Sequence, residues 1–416
     1  MFKQYFKFIV RKLSRNRVYT VINIVGLSIA FSAAWLIYSH TSNEWNMDGY
    51  LKNSDNIYRV ITRYGDEDFW NCRTNTPFGP AAKRAFPEIV QVARYFQKDY
   101  RIKIKDDQDF TIEPKLAFVD PPFFDLFEIP VIQGKIDTTV FSWIVFTETS
   151  AKRYFNKENP IGKTVTIKDG INNRKKDIKC QVVAVIKDFP ANSTIQANII
   201  VDCRQGIPYF DEHRGNYSLY TYFHILPTAD LRAIEKKLPT IASNMPDDVN
   251  HFSHRLQPLK DIYFHSEHLR EDELLRGSQS LTYLLWSITI LILLLAAGNF
   301  LLIRIAQQDR DSSRFAIHKC YGASNKHLFY QLLGEIGLQT GVILLLSCIL
   351  TYGLHPYFIQ ILSPEHIYPF EFFNLSNFVF VGFICLIMGI ICSILYFHFK
   401  HHISREGVRG MLQPKP

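Results

Sequence analysis

Apolar residues in this chain gather into four long, nearly uncharged runs: Val18–Tyr38, Leu281–Ile303, Leu328–Leu354 and Asn377–Phe399. Each is at or above the ~20 residues that a helix needs to cross a bilayer core. Glu335 is the acid that interrupts them. Between the first and second runs the pattern changes to period two, the mark of half-buried strands. Ile57–Tyr64, Ile89–Phe96 and Asp109–Val119 alternate in this way, with a short helical stretch at Pro80–Phe86. Val140–Phe146, Thr164–Lys168 and Cys180–Ile186 are Val/Ile-rich runs bounded by turn residues, and Ser218–Leu226, a capped helix at Asp230–Ile241 and Phe252–Leu259 follow. The expected fold is therefore a membrane α-helical protein with four transmembrane helices and a large extracytoplasmic α/β domain. That domain carries a β-rich insertion at about 134–215. The expected order is a terminal segment 1–17, a first span 18–39, an outer domain 40–280, a module 281–399 and a tail 400–416. The module holds spans 281–303, 328–354 and 377–399 and an inner connection 304–327.

Charge orients these spans. Lys3, Lys7, Arg11, Lys12, Arg15 and Arg17 precede the first run with no acid among them, and bases outnumber acids in 304–327 and in the tail. The connection 355–376 has no Lys or Arg but holds Glu365 and Glu371. Bases collect on the cytoplasmic side of short connections, which puts both termini inside and the large domain outside. The first run is longer than the ~7–15 apolar residues of a signal peptide and lacks a small-residue cleavage site, so it is expected to remain as an uncleaved span. The outer segment is too long for a loop and must carry its own core. The formal charge of +8 over 416 residues is thus a membrane-orientation signal. A nucleic-acid footprint would need the excess on one soluble face.

Little in the outer domain points to chemistry. Cys72, Cys180 and Cys203 are an odd set with no disulfide framework, leaving open one bridge or three buried thiols. "PIGKT" at Pro160–Thr164 resembles the end of a phosphate-binding loop, but Lys157 stands where its first glycine belongs, so no nucleotide site is expected. His251/His254 and His265/His268 make two H-x-x-H pairs without a further ligand at a known zinc spacing. No nucleophile elbow or zincin helix is present, and a membrane-anchored enzyme is the weakest of the functional expectations. "VDPPFFDLF" reads as a turn and short helix with Phe123, Phe124 and Phe127 packed inward, and "KDFPANS" as a closed strand end. Gly26 with Ala30, and Ala296, Ala297 and Gly298, are small residues of the kind that lets helices approach closely. Glu335 is an intramembrane acid and hence a functional candidate.

Several stretches together resemble one family. They are "IVRKLSRNRVYTVINIVGLSIAF" at Ile9–Phe31, "NEWNMDGY" at Asn43–Tyr50, "NIYRV" at Asn56–Val60 and "FPEIVQVAR" at Phe86–Arg94. "VDPPFFDLFEIPVIQGK" at Val119–Lys135, "AKRYFNKENPIGKTV" at Ala151–Val165, "VVAVIKDFPANS" at Val182–Ser193 and "LQPLKDIYFHS" at Leu256–Ser266 continue the series. The chain resembles permease subunits of MacB/FtsX-type ABC transporters, with 40–280 as a MacB-like periplasmic core domain and 281–399 as an FtsX-like permease domain. The resemblance implies a non-catalytic subunit for export by mechanotransmission, with no cofactor on this chain and ATP and Mg on a partner ATPase. An FtsX-like regulator that activates a periplasmic partner without transport is the alternative. Expected partners are a cytoplasmic ABC ATPase, a second copy or related permease half, and the bilayer, with room for a periplasmic adaptor or lipoprotein. The stretch at Ser313–Phe329 resembles the coupling helix that docks on such an ATPase. The site residues this implies are Arg314, Phe315, Ile317, Lys319, Tyr321, Gly322, Ala323 and Ser324, with Phe315 and His318 departing from the usual Glu and Arg. Gly26, Ala30, Ala297 and Gly298 are implied to line a dimer seam.

Overall fold

The computed structural model describes residues 17–65, 68–104, 109–137, 139–140, 142–168, 177–205, 219–243, 252–270, 272–306 and 325–362, with scattered positions between 379 and 394. The chain divides into two compact units, Glu44–Ser278 and a second made of Met1–Asn43 with Gln279–Pro416.

The first unit is built on one 12-stranded sheet. Its strands are β1 (Ile57–Tyr64), β2 (Trp70–Asn71), β3 (Ile89–Lys103), β4 (Thr111–Val119), β5 (Val131–Gly134) and β6 (Trp143–Thr147). They continue with β7 (Thr164–Lys168), β8 (Ile178–Ile186), β9 (Ile199–Asp202), β10 (Tyr220–Ile225), β11 (Phe252–Pro258) and β12 (Leu269–Arg270). The order is β12-β2-β1-β10-β3-β4-β9-β6-β8-β5, with β11 on β1 and β7 bridging β3 and β8. The stretch expected as a β-rich insertion therefore adds its strands to the common sheet. The joint is made by β3: its first half pairs with β10, and its second half with β4 and β7. β6 and β8 run parallel, as a crossover through a helix requires.

Side-chain alternation divides the core between the two faces of this sheet. On β6, Trp143 and Val145 point into one cluster and Ile144 and Phe146 into another; β4 does the same with Ala117 and Val119 against Leu116 and Phe118. The first face is shared by β1, β10, β4, β9, β6, β8 and the first half of β3, and a short helix, Phe123–Leu126, packs on it, with Phe123 and Phe124, and Phe127 next to them, all buried. The opposite face is split. One part lies under helices Phe78–Ala85 and Leu231–Ser243, through Phe78, Ala82, Ile234 and Leu238. The other lies under helix Glu148–Phe155, through Ala151 and Phe155. That last helix begins with a Thr147 side chain accepting from Ser150 N, satisfying one of its unpaired amides.

The second unit holds the long helices, hereafter α1 (Arg17–Trp45), α2 (Gln279–Ala306) and α3 (Asn325–Leu362). Among the described residues these three are long and apolar enough to cross a membrane. α1 continues past its apolar run because polar side chains fold back on it: Thr41 Oγ1 donates to Ile37 O at 2.8 Å. α3 likewise runs on through Pro356 to Leu362, into the connection expected to begin at 355. Of the fourth run, the described positions (379, 382–384, 387, 390, 391 and 394) are helical; the rest lies outside the described residues.

Candidate functional site

Two stretches of the sheet unit stand where the chain passes to and from the long helices, and both are held by buried polar contacts. The first follows the end of α1. Glu44 accepts a hydrogen bond from Tyr263 Oη at 2.9 Å. Asp48, at φ +55°, accepts from Thr194 N at 3.0 Å and from Thr194 Oγ1 at 2.6 Å, and its own N–H donates to Asn192 O at 2.7 Å. Asn192 Nδ2 donates to Asn46 O at 2.8 Å, and Tyr50 Oη meets Ser193 Oγ at 3.2 Å. The Pro190–Thr194 turn, expected only as a strand closure, thus binds the Asn46–Tyr50 segment. Burial raises the Asp48 carboxyl to about 6 against the hydrogen bonds of Thr194 and Ser193, which favour its charged form.

The second stretch precedes α2. Arg59 on β1 is fully buried with Nη1 2.9 Å from Asp272 Oδ2, close but off the hydrogen-bond direction. Its other nitrogens donate to Gln257 Oε1 at 2.7 and 3.2 Å and to Ser266 Oγ at 2.9 Å. The guanidinium also lies 5.8 Å from the Tyr220 ring centroid, a cation–π contact inside the core. Tyr220 Oη accepts from Glu273 N at 2.8 Å. Gly277 N donates to Tyr263 O at 2.9 Å, and a Cβ on Gly277 would strike the Tyr263 ring. Tyr263 therefore touches both stretches. Neither Arg59 nor Asp48 was singled out in the sequence. An Arg inside an alternating strand and an Asp in a turn carry no local sign that they will be buried.

Within the helical unit, α1 and α3 are joined by a ladder of hydroxyls that the sequence reading also passed over. Ser347 Oγ donates to Ser28 O at 3.1 Å, Thr351 Oγ1 meets Ser32 Oγ at 3.0 Å, and Ser28 Oγ donates to Ile343 O at 3.4 Å. The signal was present as two i,i+4 pairs, 28/32 and 347/351, in apolar surroundings. The small residues divide. Ala30 is buried, Ala296 and Ala297 pack against the core of Leu27, Phe31, Phe300 and Ile343, while Gly26 and Gly298 remain exposed. Among the described residues, a Cβ on Gly26 would meet only Asn299 Nδ2, at 4.0 Å, and one on Gly298 nothing within 4 Å.

The expected coupling residues Arg314, Phe315, Ile317, Lys319, Tyr321, Gly322, Ala323 and Ser324 lie outside the described residues. Glu335 lies in α3, its side chain outside the described residues. Cys72, Cys180 and Cys203 are all free and buried, and burial pushes the Cys72 and Cys180 thiols up to about 12 and that of Cys203 upward too. His254 is buried and stacked on Phe78, centroids 4.4 Å apart, whereas His265 and His268 are exposed and His251 lies outside the described residues.

Two family models match. The MacB-like periplasmic core domain covers residues 20–241 and the FtsX-like permease C-terminal domain covers residues 286–400. No curated protein matches. Among solved structures, a domain of a permease protein from Porphyromonas gingivalis is 16% identical, covers 56% of this chain and 98% of that one, and has a TM-score of 0.43. The periplasmic region of MacB from Actinobacillus actinomycetemcomitans is 16% identical over 48% of this chain and 88% of that one, with a TM-score of 0.34. The extracellular domain of the ABC-type transporter YknZ from Gram-positive bacteria is 13% identical over 49% of this chain and 100% of that one, with a TM-score of 0.36. With one model spanning more than half of its length and the other most of the remaining helical module, the chain belongs to the MacB/FtsX-like family of ABC transporter permeases.

Proposed function

We propose that this chain is the mechanotransmitting subunit of an inner-membrane export system. A separate cytoplasmic ATPase, which binds ATP and Mg, drives the long helices, and these move the sheet unit on the outer side. Both termini lie in the cytoplasm, and a second copy or a related half completes the complex. The observation that carries this reading is the buried Arg59–Asp272 pair, set a few residues before α2 begins at Gln279 and matched by the Asp48 clamp just after α1 ends. A displacement of either helix along its axis is passed to β1 and to the turn at Asn192–Thr194 through stiff, desolvated contacts, since breaking a buried pair costs ~3–5 kcal/mol.

The ATPase contact is assigned to Phe315–Ser324, with Ile317 and Tyr321 as apolar anchors, Arg314 and Lys319 at the rim, and Gly322 at the exit. Tyr321→Ala should cost ~2 kcal/mol or more of docking free energy. Gly322→Val should misdirect the following turn. Co-purification of the ATPase from native membranes checks both, with expression and outer-side labelling of a Thr228→Cys variant unchanged. Full ATPase recovery with both variants would remove the coupling assignment.

A further inference from the structure

The strands β3, β7 and β8 place like charges directly opposite one another. In the registers of the sheet, Arg101 on β3 faces Lys168 on β7, and Lys103 faces Thr166, which in turn faces Lys179 on β8. Cross-strand partners share a face, so these four basic side chains stand on one side of three adjacent strands. The other side is apolar, with Ile102 opposite Ile167 and Ile167 opposite Ile178 over the core. Arg101, Lys168 and Lys179 are exposed and make no ion pair among the described residues, nor do the exposed acids at the rim, Asp109 and Asp177. Apolar groups are set among the bases: Ile112, opposite Arg101 on β4, is 60% exposed, and the Phe110 ring lies 5.2 Å from Lys103 Nζ and 5.3 Å from Lys168 Nζ.

Like charges directly across a strand pair destabilise a sheet. A surface that bears such repulsion is complementary to negative charge, and interleaved exposed apolar side chains fit a protein contact with a desolvated centre and a polar rim. We propose that this face is a docking surface for an acidic protein segment that sets carboxylates against Arg101, Lys168 and Lys179 and an apolar side chain against Ile112 and Phe110. The surface stands on the sheet unit alone, so it does not depend on the ATPase coupling proposed above.

The test uses the full chain in nanodiscs of zwitterionic lipid and a fluorescent peptide of alternating Glu and Leu, with a Gln/Leu peptide as control and fluorescence anisotropy as readout. The Glu/Leu peptide should bind more tightly than the control and weaken as salt rises. Arg101→Glu with Lys168→Glu should reduce its affinity by about tenfold or more. Arg101→Glu alone, which turns a repulsive cross-strand pair into an attractive one, should weaken binding while raising the melting temperature of the protein. Should the double reversal fail to fold, Arg101→Gln with Lys168→Gln gives the same comparison with the charge removed. Unchanged affinity in these variants, equal binding of the Gln/Leu peptide, or binding of anionic vesicles in preference to the peptide would overturn the proposal.

Discussion

Asp48 and His254 titrate in opposite senses over the same range. Burial raises Asp48 from its ordinary 3.8 to about 6, so the folded state holds its proton more tightly; this contribution is full below about 3.8 and is lost as pH rises through 6. Burial lowers His254 from 6.5 to about 3, so its contribution is full above 6.5 and is lost as pH falls towards 3. Between pH 4 and 6 the two offset each other. Asp48→Asn, which tolerates the positive φ, should make thermal stability fall more steeply on acidification than in the parent protein. His254→Phe, which keeps a ring on Phe78, should do the reverse. Thermal melts from pH 4 to 7 check this, and identical pH profiles for all three proteins would contradict it. Neither residue announced its environment in sequence: His254 appeared as half of an H-x-x-H pair, and its burial follows only from β11 pairing with β1 beneath helix Phe78–Ala85.

At the scale of elements, alternation located most strands of the outer domain, because one buried face writes a period of two into the chain. It did not show that the middle strands join the rest. That depends on β3 continuing past Phe96 to Lys103, with β4 along one edge and a change from β10 to β7 along the other, and pairing leaves no local mark in composition. Apolar length located the long helices, but not their polar extensions, which rest on contacts such as Thr41 with Ile37. The small residues of α1 give the sharpest prediction here. Ala30 is buried, so Ala30→Leu should overpack the chain at a cost of ~1–3 kcal/mol. Gly26 is exposed, so Gly26→Leu should leave the single chain as stable as before and weaken only the contact with a second copy. Native mass spectrometry beside melting curves separates the two, and a Gly26→Leu protein of unchanged mass and affinity would place the seam elsewhere.

At the scale of the molecule, the family was legible from ordered motifs along nearly the whole chain, whereas the ties within the sheet unit were not. Arg59 meets Gln257 across 198 positions and Asp48 meets Thr194 across 146, and no periodicity reports such pairs. Asp272→Asn should destabilise the protein by ~3–5 kcal/mol, because it leaves the Arg59 charge buried without its counter-ion. Arg59→Met with Asp272→Leu should recover much of that loss in chemical denaturation, as charge-free replacements of buried pairs often do. A double variant no more stable than Asp272→Asn would assign the loss to packing and not to charge.

The most direct test of mechanotransmission is the distance between the outer units of two copies, measured by pulsed electron resonance on spin labels at exposed Thr228→Cys in the ATPase-bound complex. The account predicts a distribution that shifts between the nucleotide-free and vanadate-trapped states, and a shift that is lost in Tyr321→Ala. The same distribution in both states of an active complex would contradict it.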